Sequence, residues 1–97
     1  MNKESINMAS IRVNEDWKID IDDAGNHIPQ RKKVNQKTGA EYYVGNGFFS
    51  SVEGALKEIV NIGAREKVLS AEDEITLAGY IGIMREERKA LEAALRA

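Results

Sequence analysis

Basic side chains in two parts of the chain are the groups best suited to bind a ligand. No acid occurs between Ala24 and Ala40, and this segment carries four bases: Arg31, Lys32, Lys33 and Lys37. A local positive field of this kind favours contact with phosphate groups or nucleic acid. The alternative is a solvated, charged edge strand, because the run contains no interleaved aromatic residue of the kind typical of single-strand grooves.

The second basic group lies near the end of the chain. Arg85 and Arg88 occur in a largely acidic segment, and Arg65 precedes them. Guanidinium groups match phosphate geometry, so these arginines are candidate ligand residues. Alternatively, Arg88 is an interface residue that pairs with Glu87 or Glu92 of a second copy, or that sets the register between copies.

A glycine-rich turn supplies the remaining candidate ligand residues. The sequence Gly45-Asn46-Gly47 precedes two phenylalanines and a helix start, and free N–H groups at a helix N-terminus bind anions. Phe48 is a candidate for stacking on a base, with Asn46 beside it. The alternative is a strand-to-helix turn in which both Phe48 and Phe49 are buried.

The composition excludes several kinds of catalytic and metal site. There is no cysteine for a disulfide or a thiolate zinc site, and the single histidine, His27, cannot build a multi-histidine site. The acidic turn that begins at Asp20 resembles a calcium loop, but Ala24 and Arg31 occupy positions that need oxygen ligands. We therefore expect no enzyme activity, no metal site and no cofactor.

The size and composition predict one domain over residues 1–97, with residues 1–7 frayed. The net charge is −2, which argues mildly against a dedicated nucleic-acid binder. No apolar run approaches the roughly 18 residues of a membrane span, and the first residues lack an apolar signal segment. We therefore expect a cytoplasmic protein with no membrane partner.

Alternating apolar and polar residues predict an α+β fold that begins with a four-stranded antiparallel meander within residues 8–45. Trp17, Ile19 and Ile21 should share one face of the second strand. Because Pro29 cannot donate a ladder hydrogen bond, the third strand should lie at an edge or begin after the proline. The predicted strands span residues 8–14, 17–22, 27–34 and 40–44.

The second part of the chain, residues 50–97, predicts two helices. Ser50 with Glu53 fits a capping box for the first helix, and Ser70 begins a similar signal for the second. The second helix should be long and amphipathic, about 39 Å in length. The predicted helices span residues 51–67 and 71–96.

Apolar residues recur at heptad spacing along the second predicted helix and form a seam on one of its faces. Arg88 occupies one position of this seam. A helix of this length is out of proportion to a four-stranded sheet. We therefore expect it to pack on another copy in a homodimer or larger assembly. The expected interface residues are Leu77, Ile81, Met84, Arg88, Leu91 and Leu95.

The order of these features resembles small phage-encoded proteins of unknown function. The resemblance rests on a Trp-Lys-hydrophobic strand, a basic hairpin, a Tyr-Tyr segment, a Ser-x-x-Glu-x-Ala-Leu helix start and a charged final helix. These correspond to Trp17-Lys18-Ile19, Arg31-Lys32-Lys33, Tyr42-Tyr43, residues 50–56 and residues 83–91. The plan is similar to that of Thoeris anti-defence proteins, which sequester a cyclic ADP-ribose-type immune signal in oligomeric pockets. The resemblance implies a phage protein in the host cytoplasm.

Three functions are expected, in this order. The first is a non-catalytic anti-defence protein that sequesters a cyclic nucleotide between protomers. The second is an inhibitor of a host defence complex that uses acidic surfaces at Asp20, Asp22, Asp23 and the second helix. The third is a DNA or RNA accessory factor that uses the basic hairpin. The ligand-binding residues expected for the first function are Asn46, Phe48, Arg65, Arg85 and Arg88.

Overall fold

The computed structural model describes residues 8–95, which form the predicted α+β fold. Four strands are followed by two helices. The expected fraying of residues 1–7 lies outside the described residues. The elements are β1 (Ala9–Arg12), β2 (Trp17–Ile21), β3 (His27–Val34), β4 (Glu41–Gly45), α1 (Val52–Leu69) and α2 (Leu77–Leu95).

The chain divides into two compact units, the first ending at Leu56 and the second beginning at Lys57. The first unit contains the sheet and the beginning of α1, and the second contains the rest of α1 together with α2. The organisation of residues 1–97 as one domain stays a prediction. Each unit is described by itself below.

The sheet is an antiparallel meander in the order β1-β2-β3-β4, as predicted. A side-chain oxygen closes each of the three turns. Asn14, Asp22 and Asn35 each accept hydrogen bonds from backbone N–H groups of the residues that follow, at 2.8 to 3.1 Å. Asn and Asp side chains mimic a backbone turn in this way, so short polar segments are enough to reverse the chain.

The structure corrects the expected position of β3, which lies in the interior of the sheet between β2 and β4. Pro29 is fully buried within this strand, opposite Ile19. In an antiparallel sheet, the backbone nitrogen and carbonyl of a residue point towards the same neighbouring strand. Those of Pro29 point towards Asn46, the residue that follows the end of β4 at Gly45. The Pro29 carbonyl accepts the Asn46 N–H at 2.8 Å, and the return bond that a proline cannot donate would fall just past the end of β4.

The two faces of the sheet differ in chemistry. Residues directly opposite one another share a face, so Trp17, Ile19 and Pro29 lie together on what we call the apolar face. All three side chains are buried. Lys18 and Gln30 are paired on the opposite side, which we call the polar face. Trp17 and Ile19 thus show the alternation predicted for β2, whereas Ile21, expected on the same face, is half-buried.

Asp20 is buried although it lies on the polar face, with only 6% of its surface exposed. Ser10 Oγ donates to one carboxylate oxygen at 2.5 Å, and Gln30 Nε2 donates to the other at 3.2 Å. The Lys18 Nζ atom lies 3.6 Å from the same carboxylate. These partners compensate the burial of a charge. Asp20 thus belongs to the interior of the first unit, and its assignment to an acidic surface is wrong.

The first helix begins at Val52 and is capped by a different serine from the one predicted. The Ser51 Oγ atom accepts the N–H of Gly54 at 3.1 Å, which makes Ser51 the N-cap. Glu53 then falls at the second helical position rather than the third. The capping box of Ser50 and Glu53 is therefore wrong.

The second helix begins at residue 77 rather than 71. Ser70 Oγ donates to the carbonyl of Lys67 at 3.0 Å, so it contacts the end of α1 instead of capping α2. Thr76 is the N-cap, because its Oγ1 atom accepts the N–H of Gly79 at 3.0 Å. The acids at residues 72–74 lie in the connecting segment. The 19-residue helix is about 28 Å long rather than about 39 Å.

Within the second unit, α2 contacts α1 through Glu87. The Glu87 carboxylate lies against Gly63, where the absence of a side chain leaves room for it. One of its oxygens is 2.5 Å from the Nζ atom of Lys67. The residues that α1 buries in this unit are Ile59, Val60, Ile62 and Ala64.

Candidate functional site

The hairpin formed by β3 and β4 pairs the basic run with two tyrosines. Its register places Lys33 opposite Tyr42 and Lys32 opposite Tyr43. Side chains directly opposite on antiparallel strands have Cβ atoms about 5 Å apart. Basic side chains and aromatic rings therefore lie side by side across the hairpin, although they are not interleaved along the chain.

The ring of Tyr43 lies across β3 on the polar face, close to three cationic side chains. Arg12 Nη1 donates to the Tyr43 hydroxyl at 3.0 Å, and the Nζ atom of Lys18 is 4.4 Å from the ring centroid. Lys32 is the residue directly opposite on β3. Cations within about 6 Å of a ring face are attracted by its quadrupole. We call Arg12, Lys18, Lys32 and Tyr43 the Tyr43 cluster.

The Tyr43 cluster has more positive than negative charge around it. Lys18 faces the Asp20 carboxylate, which is buried and already holds two hydrogen bonds. Lys32 Nζ is 3.7 Å from Glu41, whose side chain is largely exposed. An exposed ion pair contributes about 0–1 kcal/mol, so an incoming anion can replace Glu41 at small cost.

On the other side of the sheet, Tyr42 presents a ring that is 49% exposed. The exposed Lys33 is directly opposite, and Lys37 lies in the exposed hairpin loop. The Arg31 guanidinium lies 5.4 Å from the ring centroid of buried Trp17. Arg31 is therefore held against the core, whereas Lys33 and Lys37 are accessible to a ligand.

Part of this arrangement can be found from the sequence and part cannot. The loop that joins β3 to β4 fixes the register, so the pairing of Lys32 with Tyr43 follows by counting back from the turn. Arg12 and Lys18 carry no comparable signal. Their contacts depend on the direction in which the Tyr43 ring leans, which the strand pattern does not specify.

The glycine-rich turn after β4 exposes Phe48 and holds Phe49 in place. Phe48 is 70% exposed, whereas Phe49 is half-buried and exchanges backbone hydrogen bonds with His27 at 2.6 and 2.9 Å. The interpretation in which both rings are buried is therefore wrong. Asn46 is half-buried, and its Nδ2 atom donates to the Val44 carbonyl at 3.0 Å. Its side chain stabilises the end of β4.

The remaining expected ligand residues lie in the second unit. Arg65 is exposed on α1, and Arg85 and Arg88 are exposed on α2. Asn46 and Phe48 belong to the first unit. The convergence of these five side chains around a cyclic nucleotide stays a prediction.

The second helix exposes part of the seam expected to join two copies. Met84 is half-buried and Leu91 is buried, so both belong to the packed side of α2 with Tyr80 and Glu87. Arg88 is exposed. The exposed apolar residues of the predicted seam are Leu77, Ile81 and Leu95.

The acidic turn after β2 is stabilised by its own hydrogen bonds. The Asp22 carboxylate accepts hydrogen bonds from the side chain and backbone of Asn26 and from the N–H of Ala24. These bonds, that of the Asn26 side chain foremost, hold the pKa of Asp22 below its ordinary value of 3.8. Asp20 is buried and Asp22 is half-buried, so Asp23 is the exposed member of the three acids expected on this surface.

Within residues 8–95, no three His, Asp or Glu side chains are grouped so that they could hold a metal ion. No helix among these residues combines the length and apolarity needed to cross a membrane. The His27 ring has Nδ1 3.0 Å from the Gly25 carbonyl, which places it against the neighbouring turn.

No protein-family model matches this chain, and no curated protein or solved structure matches it either. The resemblance to phage-encoded proteins and to Thoeris anti-defence proteins therefore stays a prediction. Support for a function comes from the geometry of the described residues, above all from the hairpin and the Tyr43 cluster.

Proposed function

We propose that this protein binds nucleic acid through the β3–β4 hairpin and the adjoining polar face. The observation that carries the proposal is the hairpin register, which sets Lys32 opposite Tyr43 and Lys33 opposite Tyr42. Surfaces that bind nucleic acid combine cations, which neutralise phosphates, with rings, which stack on bases. This is the DNA or RNA accessory role that ranked third from the sequence.

The separation of charge along the chain supports the proposal despite the net charge of −2. Residues 27–45 contain four bases and one acid, Glu41. Arg12 and Lys18 add two further cations on the polar face. Exposed charges are screened over about 8 Å at physiological ionic strength, so the field at the hairpin surface is set by these bases.

Fluorescence anisotropy with a labelled single strand of about 12 nucleotides tests the proposal. Each neutralised phosphate should contribute about −0.7 to the slope of log K against log salt concentration. We expect the triple variant Lys32→Gln, Lys33→Gln and Lys37→Gln to bind more weakly. Its slope should be smaller in magnitude by about 2, because three phosphate contacts are removed.

A matched control removes the same charge elsewhere in the chain. Lys57→Gln, Arg65→Gln and Lys89→Gln are changes at three exposed helical positions, and this variant should bind as the wild type does. An equal loss in both triple variants would mean that net charge alone governs binding, which contradicts the proposal. Absence of binding by the wild-type protein at low salt would also reject it.

The nucleotide-sponge and host-inhibitor functions, the phage origin and the cytoplasmic location stay predictions. The sponge needs a pocket between protomers, whereas the hairpin and the Tyr43 cluster belong to the first unit of one chain. The inhibitor was expected to use Asp20, which is buried. The contacts within residues 8–95 thus favour nucleic-acid binding over both.

A further inference from the structure

We infer that the nucleic acid is single-stranded and that it passes over the free edge of β4, with phosphates on the Tyr43 cluster and a base stacked on Tyr42. This inference rests on the proposed function. It adds the class of ligand and the separate positions of its charged and aromatic parts.

The Tyr43 cluster supplies the phosphate side of this arrangement. Arg12 Nη1 at 3.0 Å and Lys18 Nζ at 4.4 Å approach the same ring, and Lys32 lies opposite it. Hydrogen bonds from ammonium and guanidinium groups to phosphate oxygens are short and strong. The carboxylate of Glu41 is exposed beside Lys32, so a phosphate can displace it without opening the core.

Tyr42 supplies the stacking side. Its ring is 49% exposed, and Lys33 is directly opposite on β3. Every base has a π-face, so stacking on such a ring does not depend on sequence. Lys33 is placed to contact a phosphate next to the stacked nucleotide.

The position of β4 at the sheet edge allows one ligand to reach both sides. Among the strands of residues 8–95, β4 pairs with β3 alone. Tyr42 and Tyr43 are consecutive, so their side chains point to opposite faces. A flexible single strand can cross this edge and place phosphates on one face and a base on the other. A duplex keeps its bases paired inside, so Tyr42 cannot stack on them.

Phe48 provides an internal comparison, because its ring is 70% exposed. It follows β4 at the end of the strand away from the hairpin loop. Among residues 8–95, cation–ring contacts are found at Tyr43 and Trp17 and at neither Tyr42 nor Phe48. Exposure alone would favour Phe48 as the stacking residue, whereas the position of Lys33 directly across the hairpin favours Tyr42.

Binding of the full chain to three probes of about 12 units tests the inference: oligothymidylate, an abasic oligomer with the same phosphates, and a duplex. We expect Tyr42→Ala to weaken binding to oligothymidylate by about 5- to 100-fold. Tyr42→Phe and Phe48→Ala should bind it as the wild type does. The abasic oligomer should bind wild type and Tyr42→Ala equally, and the duplex should bind less tightly than oligothymidylate.

The outcomes separate the inference from the proposed function. Equal binding of duplex and single strand, or an unchanged affinity in Tyr42→Ala, overturns the inference while hairpin binding stands. An equal loss for the abasic oligomer, or a loss in Phe48→Ala as large as in Tyr42→Ala, overturns the position assigned to the base. Failure of the wild type to bind any probe rejects the proposed function itself. Thermal melting by circular dichroism checks that each variant is folded.

Discussion

At the scale of the residue, Asp20 shows that neighbours across the sheet decide what a side chain does. Alternation along β2 correctly predicts that Asp20 shares a face with Lys18. Its burial follows from Ser10 and Gln30, which lie ten residues away on either side and donate to its two oxygens. The pattern of one strand cannot reveal these partners, because they come from the two flanking strands.

We expect Asp20→Ala to lower the free energy of unfolding by about 1–3 kcal/mol, because Ser10 and Gln30 lose the acceptor that they share in two part-buried hydrogen bonds. Urea unfolding of the wild type and the variant measures this difference. Asp23→Ala is the matched control, since Asp23 is exposed, and it should change the stability by less than about 0.5 kcal/mol. Similar effects of the two changes would contradict the role of Asp20 as an internal acceptor.

At the scale of the element, the kind and order of strands and helices follow from the sequence, but the helix starts do not. Two hydroxyl residues stand before each helix, and local propensity does not choose between them. Two backbone hydrogen bonds fix Phe49 to His27, and the helix then begins with Ser51 as its cap. Before α2, the Ser70 hydroxyl donates to a carbonyl at the end of α1, so Thr76 is the cap of α2.

The neighbouring serines before α1 offer a direct test of the N-cap. Ser51→Ala removes the acceptor of the Gly54 N–H and should destabilise the protein by about 1 kcal/mol. Ser50→Ala should have little effect, because Ser50 is exposed and lies outside the helix. Thermal unfolding of both variants measures the difference. A larger loss in Ser50→Ala would restore the capping box predicted from the sequence.

The basic run of the hairpin is visible in the sequence, and its pairing with Tyr42 and Tyr43 follows once the hairpin loop is located. The sequence does not show that the Tyr43 ring leans across β3 to Arg12, which depends on packing over the whole sheet. The pairing of the hairpin residues is thus determined by strand register, whereas the contacts of the Tyr43 ring are determined by the direction of its side chain. The interior position of Pro29 was not predicted for a similar reason. It depends on where the neighbouring strand, β4, ends.

At the scale of the whole molecule, the two leading ideas about function differ in the number of copies they need. The Tyr43 cluster and Tyr42 come from the first unit of one chain, so a monomer has the complete surface that we propose for nucleic acid. The nucleotide sponge expected from the sequence requires a pocket between protomers. The exposed stripe of α2, which contains Leu77, Ile81 and Leu95, is the surface predicted to join them.

Light scattering at micromolar concentration tests this predicted homo-oligomer against the 10.8 kDa mass of one chain. If the stripe joins two copies, Ile81→Glu should reduce the measured mass to that of one chain, because a carboxylate would be buried without a partner. Leu69→Glu is the matched control, since Leu69 is an exposed leucine at the end of α1 and outside the stripe. Met84 and Leu91 are unsuitable for this test, because they pack within the chain. A wild-type mass of one chain would contradict the oligomer and remove the shared pocket, while the surface proposed for nucleic acid would remain complete.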